Sequence, residues 1–300
     1  YNSSGIQQWV TRYNGTGNGS DIGYAITLDR FNNIFVTGAS TGTGTLQDYV
    51  TIKYNSNGAE EWNDRYDGPA NTYDFAFQMA VSESNNVYVT GWSTGSGADY
   101  DYATIKYNAN GYREWVSRYT GGANSHDKAN SLAIDRSENV YVSGSSDSLG
   151  ISSYVTIKYT AQGNEQWIAK FNGGETYYNE VVGSVLDSNG RFYVTGVRRD
   201  STGDKDYLTV SYDSSGSVNW TTVYNGHGNS QDYVTSMTTD RSHNAYVTGW
   251  SVSSTGSDIT TVKYSSDGIL VWSTHYNGTG NSYDYASALA VNDNGDVYVT

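Results

Sequence analysis

The chain has 300 residues, enough for a large core or an array of repeats. Its 31 acidic against 17 basic residues leave a formal charge of -14, which repels phosphate backbones and anionic membrane surfaces and excludes nucleic-acid binding. No apolar run reaches the ~18 residues of a membrane-spanning helix, so membrane insertion is not expected; with no cysteine, disulfides, thiolate metal sites and thiol nucleophiles are absent.

Tyr1 already stands inside a repeat, so the chain reads as a mature or excised segment. From there tryptophan recurs at Trp9, Trp62, Trp115, Trp167, Trp220 and Trp272. Each is followed four residues on by an aromatic (Tyr13, Tyr66, Tyr119, Phe171, Tyr224, Tyr276). Each is preceded by eight by a tyrosine, at Tyr1, Tyr54, Tyr107, Tyr159, Tyr212 and Tyr264, with spacings of 53, 53, 52, 53 and 52. Self-similarity of this regularity defines the architecture before any single motif does.

Within the first complete unit, the residues predict strands at 24–28, 34–38, 48–54 and 60–66. A turn at Asp29 to Asn33, a Gly/Thr-rich loop over 39–47 and a hairpin at Asn55 to Gly58 separate them. The third strand alternates, with Val50, Ile52 and Tyr54 on one face and Tyr49, Thr51 and Lys53 on the other. Both faces carry bulk, as a sheet packed between two neighbours requires. With 34 glycines, 29 tyrosines and one proline, the composition suits short strands and tight turns, and no helix is expected.

A lone four-stranded sheet cannot bury both faces; radial stacking of like sheets does. Residues 1–300 are therefore expected to form a single all-β domain, a β-propeller of about six repeats of ~53 residues in four-stranded antiparallel blades, with the first and last repeats incomplete. The N-terminal fourth strand and the C-terminal first and second strands are expected to share the terminal blade, which then lacks a third strand. Residues beyond Thr300 or a strand donated by a neighbouring molecule would each supply it.

The string from Asp135 to Gly144 (DRSENVYVSG) returns from Asp187 to Gly196 (DSNGRFYVTG) and from Asp240 to Gly249 (DRSHNAYVTG). With DYxTIKYxxxGxxxW and YNGxGNSxDY, it resembles the SBBP β-propeller repeat family over essentially the whole chain. Departures are Ser82 and Asn292 for the first Asp, and Ser211 for the Lys of TIKY. The resemblance implies a bacterial or archaeal secreted or cell-surface protein, and implies neither catalytic residues nor a defined ligand.

Candidate ligand-binding residues are those ending the loop before each first strand, Asp21, Asp74, Asp127, Asn179, Asp232 and Asp284, together with Trp92 and Trp250, which break the repeat. The acidic set is either a collar for Ca²⁺ or sugar, or a set of acceptors for backbone N–H groups in the turns. No other cofactor and no catalytic or metal residues are expected. The six repeated tryptophans read as structural, packing between blades. Five sequons, at Asn2, Asn14, Asn18, Asn219 and Asn277, permit glycosylation.

Other patterns weigh less. Gly38 to Gly42 and Gly91 to Gly95 match G-x-S-x-G, which needs a following helix that is not predicted. The run Gly15-Thr-Gly17-Asn-Gly19 hints at a phosphate cradle but reads as a turn. The four histidines, His126, His227, His243 and His275, occupy non-equivalent repeat positions. Lys53, Lys106, Lys158 and Lys263 read as ladder cations, and Arg198, Arg199 and Asp200 as a charged loop.

The residues therefore predict a non-catalytic extracellular or cell-surface module, structural or adhesive, contacting copies of itself, cell-surface proteins or glycans. The alternative is a propeller enzyme, a lyase or glycoside hydrolase acting on a polysaccharide. An enzyme needs convergent, non-repeated acid and base groups, and the copies look uniform.

Overall fold

The computed structural model describes every residue except 98, 123–124, 149, 174–177, 227–229, 255 and 281. It is a β-propeller fold; among the described residues every regular element is a strand, and no helix is long and apolar enough to cross a membrane. Five four-stranded sheets occupy residues 21–66, 74–119, 125–171, 178–224 and 232–276; we number these blades one to five. Strands lie side by side in chain order within each blade. A two-stranded sheet, Leu289–Val291 with Val297–Val299, follows. The chain divides into two compact units, residues 1–140 with 160–164, and residues 141–159 with 165–300.

Blade one is built from Asp21–Leu28, Ile34–Thr41, Gln47–Tyr54 and Glu60–Tyr66. Its first two strands are longer than the residues predict, because the Gly/Thr-rich stretch after Gly38 continues the ladder instead of looping out. A bulge explains this. The register of the first two strands slips between Gly23 and Ala25, and the same slip recurs at Ala76/Gln78, Val181/Gly183 and Val234/Ser236. Opposite the bulge stands the glycine of V-T-G. A Cβ on Gly38, Gly91 or Gly196 would lie 1.9 Å from the carbonyl oxygen of Ile22, Phe75 or Glu180.

Turns after the first strands close on one side-chain oxygen. Asp29 Oδ1 accepts the N–H groups of Phe31 and Asn33, and Asp135, Asp187 and Asp240 repeat the arrangement. Asn292 Oδ1 does the same for Asn294 and Asp296, and Ser82 Oγ accepts from Asn86. The departures from Asp thus keep the acceptor.

Packing between blades follows two repeated contacts. In the first unit Tyr49, fully buried, donates its hydroxyl to Ala103 O of the next blade at 3.1 Å. In the second unit Tyr154 and Tyr207 do likewise to Leu208 O and Thr260 O. The repeated tryptophans lid the hairpin of the following blade: Trp62 over Gly111 and Trp115 over Gly163, Trp167 over Gly216 and Trp220 over Gly268. Trp115 Nε1 donates to Ala161 O, and Trp167 and Trp220 to Ser214 O and Ser266 O, at 3.0–3.1 Å. These side chains are half-buried, not sealed in a core. Trp272 is also half-buried and meets Tyr246 edge-on.

Residues 7–13, expected as a fourth strand, carry no strand; Trp9, 39% exposed, donates to Ser56 O of blade one.

Candidate functional site

Five of the six loop-end residues sit in the opening residues of a first strand and Asp284 precedes the strand Leu289–Val291, and their side chains turn back into their own loops. Asp21 accepts the N–H of Gly15, Asp74 of Gly68, Asp127 of Gly121, Asp232 of Gly226 and Asp284 of Gly278, at 2.6–3.0 Å. Asn179 reaches the same end by donating Nδ2 to Asn172 O and Ser152 O. Asp74, Asp127 and Asn179 are fully buried and Asp232 is 1% exposed. Burial pushes Asp74 and Asp232 up to about 6, although each accepts hydrogen bonds that favour the anion. These side chains therefore act as loop braces.

The braces fix the residues on either side of them, and those residues differ from blade to blade. Before the brace stand Ser20, Tyr73, His126, Tyr178, Gln231 and Tyr283; after it stand Ile22, Phe75, Lys128, Glu180, Tyr233 and Tyr285. Trp92 and Trp250 follow the bulge glycine, and Tyr100 and Lys205 open third strands. One constant frame thus carries variable tips.

In the first unit the tips converge. Trp92, 9% exposed, lies between Phe75 (ring centroids 4.6 Å apart) and Tyr100 (4.2 Å). Tyr73 and Phe77 stack on Phe75, and Tyr24 meets Phe77 edge-on. The exposed imidazole of His126 lies 4.8 Å from the Tyr100 ring. Lys128 Nζ stands 5.7 Å over Trp92 and 5.5 Å over Tyr100. In the second unit Trp250 stacks on Tyr233 at 4.0 Å and meets Tyr285 edge-on, with Lys205 Nζ 4.3 Å over Tyr233. The signal for both groups is in the sequence at Trp92, Trp250 and the non-equivalent His126; the aromatic residues beside the braces escape notice there because the first strands begin earlier than the residues predict.

The remaining motifs resolve into packing. Ser40 and Ser93 of the G-x-S-x-G strings lie in buried strand positions and accept guanidinium hydrogens from Arg65 and Arg118 at 2.7 and 2.6 Å. Those arginines also pair with Asp48 and Asp101. Arg198 pairs with Asp206, whereas Arg199 lies over the Tyr178 ring. Lys53 pairs with Glu61, Lys106 with Glu114, and Lys263 with Asp240, while Lys158 stands over Tyr141. His243 meets Asp187 and Asn189, and His275 meets Thr260 and Tyr224; His227 lies outside the described residues. The run from Gly15 to Gly19 is a turn, with Asn18 at φ 50°. One acidic group, Asp48, Asp67 and Asp74, brings oxygens within 4.8 Å of one another, and Arg65 supplies compensating charge at 2.9 Å from Asp48. All five sequon asparagines are exposed.

Residues 8–44, 115–151 and 220–254 match the SBBP beta-propeller repeat. No curated protein is similar in sequence to this chain. Among solved structures, a PL25 ulvan lyase is similar with a TM-score of 0.55 at 11% identity, over 88% of this chain and 71% of that one. The polysaccharide lyase Uly1 gives 0.56 at 12% identity over 99% and 79%. The β-propeller domain of the trilobed protease from Pyrococcus furiosus, with an open velcro topology, gives 0.52 at 7% identity over 93% and 76%. At these identities the likeness is one of fold. It corrects the expectation that the chain is no enzyme: that expectation rested on uniform blades, and propellers of this fold include polysaccharide lyases. Uniformity of the frame leaves the tips free to differ.

Proposed function

The chain carries SBBP β-propeller repeats, and we propose that on this frame it is a polysaccharide lyase acting on an acidic, uronate-bearing polymer. The observation that supports the reading is the convergence of His126, Lys128 and Trp92 on the ring of Tyr100. Lys128 takes the uronate carboxylate, which acidifies the proton on the adjacent carbon. His126 removes that proton as general base. The electron pair forms a carbon–carbon double bond as the neighbouring glycosidic C–O bond breaks. Tyr100 passes its hydroxyl proton to the leaving oxygen, and solvent restores it. The aromatic ribbon stacks against the sugar ring and holds it in register.

Hydrolysis fits less well. It needs two carboxylates flanking the bond, and Asp74 and Asp127 at this face are fully buried and occupied by the amides of Gly68 and Gly121. A polymer substrate of this kind is met outside the cell, so the reading carries with it a secreted or surface location.

The test is turnover on a panel of acidic and neutral polysaccharides, read by the ultraviolet absorbance of unsaturated uronyl ends. The wild-type chain should cleave an acidic polymer and no neutral one, and His126→Ala should lower the rate at least ~100-fold. Cleavage of nothing in the panel, or a His126→Ala variant as fast as the parent, would overturn the reading.

A further inference from the structure

The structure also places a second group of rings and cations on blades four and five, and we propose that it is a non-catalytic subsite for an anionic sugar. Lys205 Nζ stands over two rings, 4.3 Å from the centroid of Tyr233 and 5.6 Å from that of Tyr178. Arg199, exposed, stands 5.5 Å over the other part of the pair, Tyr178. Tyr233 is in turn stacked on Trp250 with an interplanar angle of 20°.

The cations are the informative part. In a chain of charge -14 acidic side chains outnumber basic ones, and Arg198, the neighbour of Arg199, pairs with buried Asp206. Among the described residues neither Arg199 nor Lys205 forms an ion pair. The carboxylate of Glu180 accepts the Tyr178 hydroxyl at 2.5 Å and pairs with neither. The Asp204 carboxylate accepts from Thr202 and Gln231. Two cations without an ion pair among the described residues, held over aromatic faces, offer charge and a stacking surface together. That is the chemistry of a pyranose bearing a carboxylate or sulfate: the C–H face lies on a ring and the anion meets the ammonium or guanidinium.

Among the described residues the group consists of rings and cations without an imidazole like His126 of the first unit, and binding is the role assigned to it. The ligand class rests on the polysaccharide reading; the site itself is defined by other residues.

The experiment measures affinity and not turnover. Affinity electrophoresis of the full chain is run through gels containing alginate, dextran sulfate or neutral dextran. The paired variant Lys205→Gln and Arg199→Gln keeps the rings and the strand, and its fold is checked by thermal melting. We expect at least about tenfold weaker retardation by one or both anionic polymers, since the variant removes up to two charge-assisted contacts, and no change in neutral dextran. Loss in alginate alone identifies a carboxylate ligand, and loss in dextran sulfate alone a sulfate. Retardation equal to the parent in both anionic gels overturns the subsite, whatever the outcome for cleavage. Conversely, a wild-type chain that cleaves nothing but loses affinity in this variant removes the lyase reading and leaves the subsite standing.

Discussion

At the scale of single residues, the glycine of the V-T-G string is set by contact, not by backbone sign. A Cβ on Gly249 would lie 1.8 Å from Tyr233 O and 2.7 Å from the Tyr207 hydroxyl, the group that reaches across to the next blade. Gly249→Ala should therefore cost about 3 kcal/mol in urea unfolding through overpacking. Gly183, at the bulge of the preceding blade, has nothing within 4 Å of its would-be Cβ and no positive φ. Gly183→Ala should change stability by no more than about 0.5 kcal/mol. Equal losses at both positions would refute the contact argument. The repeat made these glycines visible as a pattern in the sequence. It did not show the bulge, because a bulge depends on which residues face each other across strands.

At the scale of the blade, a counter-ion is conserved while its carrier moves. In blades one and two the carboxylate opening the third strand (Asp48, Asp101) pairs with an arginine from the fourth strand (Arg65, Arg118), beside a serine from the second (Ser40, Ser93). In blade four the fourth-strand position is Val223, which faces Leu208, and the second-strand position is Arg198, which faces Asp206. The guanidinium has changed strands but still meets the carboxylate, Asp206 being 2% exposed. Arg198→Ser should cost about 3 kcal/mol by leaving a buried anion unpaired. Adding Val223→Arg should recover most of it by restoring the blade-two arrangement. A double variant no more stable than the single one would show that the pair is not interchangeable. Read in one dimension, Arg198 and Arg199 look like one charged loop; the ladder assigns them to opposite tasks. The candidate site was likewise only partly legible. Trp92, Trp250 and His126 stood out as exceptions to the repeat, but Tyr100, Lys128, Lys205 and Tyr233 joined them only once strand register placed their rings together.

At the scale of the molecule, stability should depend on pH in opposing ways. Burial raises Asp74 and Asp232 from the usual 3.8 to about 6, outweighing the hydrogen bonds they accept. Their protonated forms are favoured by folding, so their contribution is complete below 3.8 and fades as pH rises through 6. Glu138 behaves oppositely. Burial pulls it upward, but hydrogen bonds from Tyr88, Asn86, Ser82 and Ser84 prevail and hold it at about 2. Its contribution is present above 4.5 and is lost as pH falls towards 2. The melting temperature should therefore decline between about pH 4.5 and pH 6 and level off above it. Asp232→Asn should flatten that decline, since Asn179 shows that an amide can brace the same loop position. A scanning-calorimetry profile that is level across this window in the parent would contradict the assignment.

The braces carry a consequence for how such chains diversify. Five of the six tie an aspartate to a glycine amide six residues upstream, and Asn179 ties to Asn172 O, so the connection between successive blades has a set length, and an added residue there would break the tie. The connection from second to third strand varies instead: it runs from Thr41 to Gln47, Thr94 to Tyr100 and Arg199 to Lys205 in blades one, two and four, but only from Ser148 to Ile151 and Ser253 to Gly256 in blades three and five. Insertions and deletions should accumulate in the latter and be purged from the former, leaving a lineage of equal joints and unequal fingertips.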